Sequence, residues 1–265
     1  MNPSSSNPPP YVPPHGLLSG RSVLITAAAG GGIGFATARR VLEEGARALV
    51  IADIHPRRLD EAVATLRKDF ADRQIEGQLA NVTLEPEVQA LVEFAESRTG
   101  GVDVLVNNAG LGGSRRVVDM TDDEWHKVLD VTLTGTFRMT RAMLKKMQPR
   151  GRGAIVNNAS VLGWRAQKEQ AHYAAAKAGV MALTRCSGLE AAEFGVRINA
   201  VSPSIAFHEH LKKTAPAELL QQLASREAFG RAAEVWEIAN VIVFLASDYA
   251  SYLVGETISA SSQHP

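Results

Sequence analysis

The chain has 265 residues with 28 basic and 28 acidic side chains, so its formal net charge is zero, and 45% of it is hydrophobic. The balance argues against a nucleic-acid partner or an anionic membrane surface, and the apolar fraction is enough for one large α/β domain or two small ones. Cys186 stands alone, which excludes an internal disulfide and CxxC metal sites; its apolar helical surroundings predict a small buried hydrophobe.

Residues 1–16, MNPSSSNPPPYVPPHG, read as a flexible Pro/Ser-rich tail without the basic and apolar regions of a signal peptide. From there, short β-branched runs alternate with amphipathic segments. The runs are SVLIT (22–26), ALVIAD (48–53), IEGQLA (75–80), VDVLVN (102–107), GAIVNN (153–158), RINAVS (197–202) and ETISA (256–260). Apolar strands separated by helices predict a parallel sheet covered on both faces, and right-handed crossovers make it a doubly wound, Rossmann-type α/β domain over 17–265. Residues 203–232, with Pro203, Pro216 and Gly230, break the rhythm and are the expected lid. Nowhere do about 18 apolar residues run together, so no membrane span is expected. With the lone cysteine, that fits a cytoplasmic setting.

The first chemical signal is Thr26-Ala27-Ala28-Ala29-Gly30-Gly31-Gly32-Ile33-Gly34, between the first apolar run and the helical FATARRVLEEG. Glycines there let backbone N–H groups approach a pyrophosphate at the positive end of a helix. Asp53, 19 residues beyond Gly34, closes the second run. Its carboxylate can accept both ribose hydroxyls of an adenosine and repel a 2′-phosphate, which selects NAD(H) over NADP(H), although Arg57 and Arg58 follow closely. Asn107-Asn108-Ala109-Gly110 closes the fourth run with short polar residues suited to a cofactor crevice.

The sharpest signal is Ser160 with Tyr173 and Lys177. Four residues apart, Tyr173 and Lys177 share a helix face. A neighbouring ammonium favours the phenolate, which lowers the tyrosine pKa and makes Tyr173 a usable acid/base near neutrality. Ser160 can hold the substrate oxygen within reach. Alanines 174–176 and 178 with Gly179 permit close approach of a cofactor or a second helix.

In combination, the glycine loop, Asn107-Asn108-Ala109-Gly110, and Ser160 thirteen residues before Tyr-x-x-x-Lys resemble the short-chain dehydrogenase/reductases over about residues 17–260. The resemblance implies hydride transfer between a secondary alcohol or ketone and a nicotinamide, no catalytic metal, and a homotetramer or homodimer. It implies Tyr173 as general acid/base, Ser160 as the group that orients and polarises the substrate oxygen, and Lys177 on the nicotinamide ribose. It also implies cofactor contacts at Thr26, Gly30, Gly32, Ile33, Gly34, Asp53, Asn81, Val82, Asn108, Ala109, Gly110, Tyr173, Lys177, Pro203 and Ile205. Several positions depart from the family pattern. Thr26-Ala27 replaces Thr-Gly in a loop one residue longer, Asn81 replaces an aspartate, Pro203-Ser204 replaces Pro-Gly, and His208 stands where a threonine is usual. Thr132 replaces the asparagine that helps hold a proton-relay water and is the candidate relay group in its place.

A narrower resemblance lies in Thr-Ala-Ala-Ala-Gly, in residues 158–167, in Ala-Val-Ser-Pro-Ser-Ile-Ala and in Ser-Ser-Gln near the end. It points to actinobacterial short-chain enzymes of steroid-ring catabolism and implies a bicyclic, indane-type secondary alcohol carried on a CoA thioester. Trp164, Arg165 and His208 are the candidate pocket residues, and Arg115, Arg116, Arg165, Lys212 and Lys213 the candidate partners of CoA phosphates. Two alternatives share these motifs: a 3-oxoacyl-thioester reductase of fatty-acid metabolism, and a non-catalytic NAD-binding scaffold.

Overall fold

A computed structural model describes residues 7–207 and 217–263. His208, Lys212 and Lys213 lie outside the described residues. In chain order the elements are β1 (Ser22–Thr26), α1 (Ile33–Glu43), β2 (Ala48–Asp53), α2 (Pro56–Asp69), β3 (Gln74–Leu79), α3 (Glu85–Thr99) and β4 (Val104–Asn107). There follow α4 (Asp122–Leu129), a π-helical turn (Asp130–Thr134), α5 (Gly135–Met147), β5 (Gly153–Asn158), α6 (Ala171–Ala192), β6 (Val196–Pro203) and β7 (Ala206–Phe207). The chain closes with α7 (Ala217–Ser225), β8 (Ala233–Glu234), α8 (Val235–Ala246) and β9 (Thr257–Ala260).

Seven strands form one sheet in the order β3-β2-β1-β4-β5-β6-β9, with every pairing parallel. Alternate side chains of each strand face opposite layers, so two cores form. Val23, Ile25, Leu49, Ile51, Val104, Val106 and Val156 pack with α1, α2 and α8. Leu24, Val50, Leu105, Ile155 and Ile198 pack with α3 and α5. The strand order reverses between β1 and β4, and parallel strands bring all their carboxyl ends to one edge. That edge, at the switch point, is where an open α/β sheet has its crevice.

Two expectations need correction. The tail does not run free to residue 16. Tyr11 packs edge-on against Trp236 at 5.2 Å and lies under the Arg40 guanidinium at 5.3 Å. Arg40 also donates to the carbonyls of Val12 and Pro13, and the buried Glu44 carboxylate accepts the His15 and Leu17 N–H groups. The segment thus supplies further partners to the buried Arg40–Glu44 pair. Cys186, expected inside, is exposed on α6. That helix is itself rich in small alanines and glycines, and its buried stripe runs instead through Val180, Met181, Thr184 and Ala191.

Candidate active site

The glycine loop leaves β1 and enters α1, whose first helical residue is Ile33. Its N-terminus has Gly32 at the cap and no side-chain hydrogen bond, so backbone donors remain for a ligand. Three observations test the fit of a dinucleotide. A Cβ built on Gly30, Gly31 or Gly32 meets no protein atom within 4 Å, so the space over the loop is open. Gly34 is the reverse: its Cβ would lie 2.4 Å from the Ala27 carbonyl and 2.5 Å from Asn108 Nδ2, so only glycine lets α1 approach β4. Asp53 ends β2 with its carboxylate turned to the loop, accepting Ala29 N–H at 3.2 Å and His55 N–H at 3.1 Å. The residues present fit such a group. Ala27, where the family has glycine, takes φ of 51°, a left-handed conformation that costs an alanine on the order of 1 kcal/mol.

Beyond β3, Asn81 folds into a turn, its Oδ1 accepting both the N–H and the hydroxyl of Thr83. The Val82 side chain is buried against Gly135 of α5 rather than open to the crevice. Arg57 is exposed and pairs loosely with Glu61 at 3.8 Å.

A polar chain stitches the strand ends together. Thr26 Oγ1 accepts the N–H groups of Asn108 and Ala109 at 3.0 and 3.1 Å. Asn108 Nδ2 donates to Ala27 O, and Asn108 Oδ1 accepts from Asn158 Nδ2 at 2.8 Å. The Asn158 carbonyl accepts the Lys177 ammonium at 2.5 Å. The loop backbone, β4, β5 and Lys177 thus form one connected unit. Gly110 belongs to it sterically, since a Cβ there would come within 3.4 Å of Lys177 Nζ. Asn158 escaped the sequence reading; the Asn-Asn pair closing the fifth run was its only signal.

Ser160 sits just past β5, its Oγ accepting the Leu162 N–H of a short 3-10 turn at 3.2 Å. Tyr173 and Lys177 project from the first turns of α6, with Lys177 Nζ 5.6 Å from the Tyr173 ring centre. Lys177 is 4% exposed, and burial lowers its pKa to about 8. The tyrosine runs against expectation. Burial pushes the Tyr173 phenol above its ordinary value, opposed by a hydrogen-bonding contact with Ser160. Lys177 does not deliver the expected lowering: its head turns to the Asn158 carbonyl, and at Tyr173 loss of solvent outweighs the Ser160 hydrogen bond.

Thr132 lies in the π turn between α4 and α5 and is fully buried, 0% exposed. Its hydroxyl accepts Leu111 N–H at 3.0 Å and donates to Leu111 O at 3.2 Å. The one hydroxyl proton therefore faces Leu111, in the loop that follows Gly110. Wide turns of this kind often mark functional sites because they re-aim one side chain out of helical register. His172, next to Tyr173, is buried with no protein partner for Nδ1.

On the far side of the crevice, Pro203 ends β6, and Ile205 O accepts Ala233 N–H just before β7. Trp164 is 43% exposed. Arg165 binds Ser261 and Gln263, and Arg115 binds Glu124, so these two guanidiniums are engaged within the protein. Arg116 is exposed. A hollow of about 420 Å³ lies between Tyr11, Phe35, Trp236 and the glycine loop and is not lined by Ser160, Tyr173 or Lys177. Among the described residues no cluster of His, Cys, Asp and Glu could hold a metal ion, and no helix is long and apolar enough to cross a membrane.

This arrangement holds a hydroxyl, a phenol and an ammonium at the carboxyl edge of a sheet, beside an open phosphate cradle. A family model described as enoyl-(acyl carrier protein) reductase matches residues 27–262. The chain is 63% identical to the (5R,7aS)-5-hydroxy-7a-methyl-1-oxo-2,3,5,6,7,7a-hexahydro-1H-indene-carboxyl-CoA reductase of Mycobacterium tuberculosis, across 97% of this chain and 98% of that one. A short chain dehydrogenase from Mycobacterium smegmatis has the same fold, with a TM-score of 0.88 and 55% identity over 98% of this chain and 100% of that one. The chain belongs to the short-chain dehydrogenase/reductase family. It is therefore an oxidoreductase, and the family binds a nicotinamide cofactor. NAD+-bound xylitol dehydrogenase is a further structural neighbour, with a TM-score of 0.87 and 29% identity over 93% of this chain and 99% of that one.

Proposed function

We propose that this short-chain enzyme transfers hydride between NAD(H) and the secondary alcohol or ketone of a methyl-oxo-indane carried on a CoA thioester, a step in steroid-ring breakdown. The observation that carries the substrate class is the 63% identity, over nearly the whole of both chains, to a reductase named for that indene-carboxyl-CoA. The bicyclic ring would lie against the exposed face of Trp164, and Arg116 is the described guanidinium best free to meet CoA phosphate.

In this reading Tyr173 gives or takes the proton of the substrate oxygen, and Ser160 holds that oxygen in line. Lys177, oriented by the Asn158 carbonyl, holds the nicotinamide ribose and places positive charge beside the phenol when it is protonated. The hydrogen bond with Ser160 opposes, without cancelling, the burial that raises the phenol pKa. A bound nicotinamide supplies the hydride acceptor or donor. The backbone of Gly30, Gly32, Ile33 and Gly34 holds the pyrophosphate. Asn81 is placed for the adenine, while Val82 has only its backbone to offer. Pro203 and Ile205 flank the carboxamide.

NAD(H) is preferred over NADP(H) because the Asp53 carboxylate, fixed by two backbone N–H groups, keeps lone pairs for ribose hydroxyls and repels a 2′-phosphate. We assign the enzyme to the cytoplasm as a homotetramer or homodimer. The test is nicotinamide reduction on the indane acyl-CoA alcohol and on 3-hydroxyacyl thioesters, with NAD+ and NADP+ in parallel. Preference for the indane with NAD+ supports the reading. Preference for a straight-chain thioester with NADP+ replaces it by the fatty-acid reductase. NADH binding without turnover of any alcohol makes the chain a scaffold.

A further inference from the structure

The carboxyl end of β9 lies beside that of β6, with Ser204 N–H donating to Ala260 O. Residues Ser261–Gln263 therefore leave the sheet at the edge that carries Ser160 and Tyr173. Two charged side chains from different parts of the chain meet them there. Glu227, between α7 and β8, is only 5% exposed. Its Oε2 accepts Ser262 N–H at 3.1 Å and Ser262 Oγ at 2.9 Å, and its Oε1 accepts Gln263 Nε2 at 2.9 Å. Arg165, five residues past Ser160, donates to Gln263 Oε1 at 3.1 Å and Gln263 O at 3.0 Å.

The Gln263 amide is thus shared between a cation and a buried carboxylate, its oxygen to one and its nitrogen to the other. An amide matches both at once, because it carries an acceptor and a donor on one carbon. Hydrogen bonds to charged groups are the stronger class, and Gln263 Nε2 is the donor that holds Glu227 Oε1, so the contact defines a fixed distance. What it fixes is relevant to substrate. Arg165 adjoins Trp164 on the turn that carries Ser160, and the Glu227 segment runs on to Ala233, which is bonded to Ile205. The contact therefore joins the turn that carries Ser160 to the segment that leads into β8.

We propose that Gln263 is a positioning residue that spaces Arg165 from Glu227 and so sets the width of the substrate end for a bulky alcohol. This rests on the functional reading above for the identity of that alcohol. Gln263→Glu keeps the acceptor for Arg165 but sets a carboxylate against Glu227. Gln263→Met keeps the length and removes both side-chain hydrogen bonds, leaving only the Arg165 bond to the residue 263 carbonyl. Either variant is expected to raise KM for the indane acyl-CoA about tenfold, the loss that follows removal of a hydrogen bond to a charged group. Meanwhile kcat, the NADH Kd by fluorescence and KM for a small secondary alcohol should stay within about twofold. Hydrogen exchange should quicken together in 161–166 and 226–231, and not in the glycine loop. An unchanged KM in both variants, or a KM that rises in step with NADH Kd, overturns the proposal. If Gln263→Glu fails to fold, Gln263→Met decides. The exchange arm needs no substrate, so it judges the spacing role even where wild type fails on the thioester, a failure that overturns only the functional reading.

Discussion

Gly31 lies in the glycine loop and Gly34 three residues on in the first turn of α1, yet the geometry assigns them opposite roles. In Gly34→Ala the new methyl would sit 2.4 Å from the Ala27 carbonyl, 2.5 Å from Asn108 Nδ2 and 3.0 Å from Ala28 Cα. Two of those atoms are backbone, so α1 must move away. Overpacking of this kind costs about 1–3 kcal/mol. Displacing Asn108 also breaks its bond to Ala27, about 1 kcal/mol more. The sum, about 2–4 kcal/mol, lowers Tm by about 4–16 °C at ~2–4 °C per kcal/mol. In Gly31→Ala the methyl meets nothing, so stability should stay within about 0.5 kcal/mol. That space belongs to the bound pyrophosphate in our account, so NADH affinity should fall about tenfold or more. Thermal denaturation and NADH fluorescence titration on the two variants separate the roles. A Gly34→Ala protein as stable as wild type, or a Gly31→Ala protein that binds NADH unchanged, refutes the reasoning.

Three further variants probe the rest of the site. Asp53→Asn removes the charge that repels a 2′-phosphate, so the ratio of kcat/KM for NADP+ over NAD+ should rise about tenfold; an unchanged ratio removes Asp53 from cofactor choice. Thr132→Val leaves the Leu111 N–H and C=O without their partner and should cost about 2–4 kcal/mol in chemical denaturation; a loss of kcat with full stability would instead make the hydroxyl a relay. Lys177 gives up its proton at about 8 in the fold against 10.5 ordinarily, so between those values the unfolded chain holds more protons and stability must rise with pH. Against Lys177→Met, wild type should gain about 3 kcal/mol from pH 8 to 10.5; a flat difference contradicts the buried, depressed lysine.

The strands were legible because a parallel sheet covered on both faces needs unbroken apolar runs, and SVLIT and ALVIAD appear in the fold with their expected bounds. The Tyr173–Lys177 pair was legible because helical spacing alone puts the two residues on one face. What stayed hidden depended on distant partners. Tyr11 meets Arg40 and Trp236 across long stretches of chain, and nothing local in a proline-rich segment signals that docking. Arg165 looked like a phosphate ligand until Gln263 and Ser261 were seen to occupy it. Asn81 and Val82 are both expected at the cofactor, but only Asn81 keeps its side chain out of the core, because Val82 fills the space that Gly135 leaves. The π turn that buries Thr132 has no marker in Val-Leu-Asp-Val-Thr-Leu-Thr-Gly.

The central claim is that Tyr173 moves the proton while the rest of the site holds cofactor and substrate. Steady-state NAD+ reduction on the indane acyl-CoA alcohol, measured beside NADH fluorescence titration for wild type and Tyr173→Phe, addresses it most directly. We predict that the variant loses turnover by at least about a hundredfold, the lower bound for a general acid/base, and keeps its NADH Kd within about twofold. Near-normal turnover in Tyr173→Phe, with NADH bound as in wild type, would contradict the account.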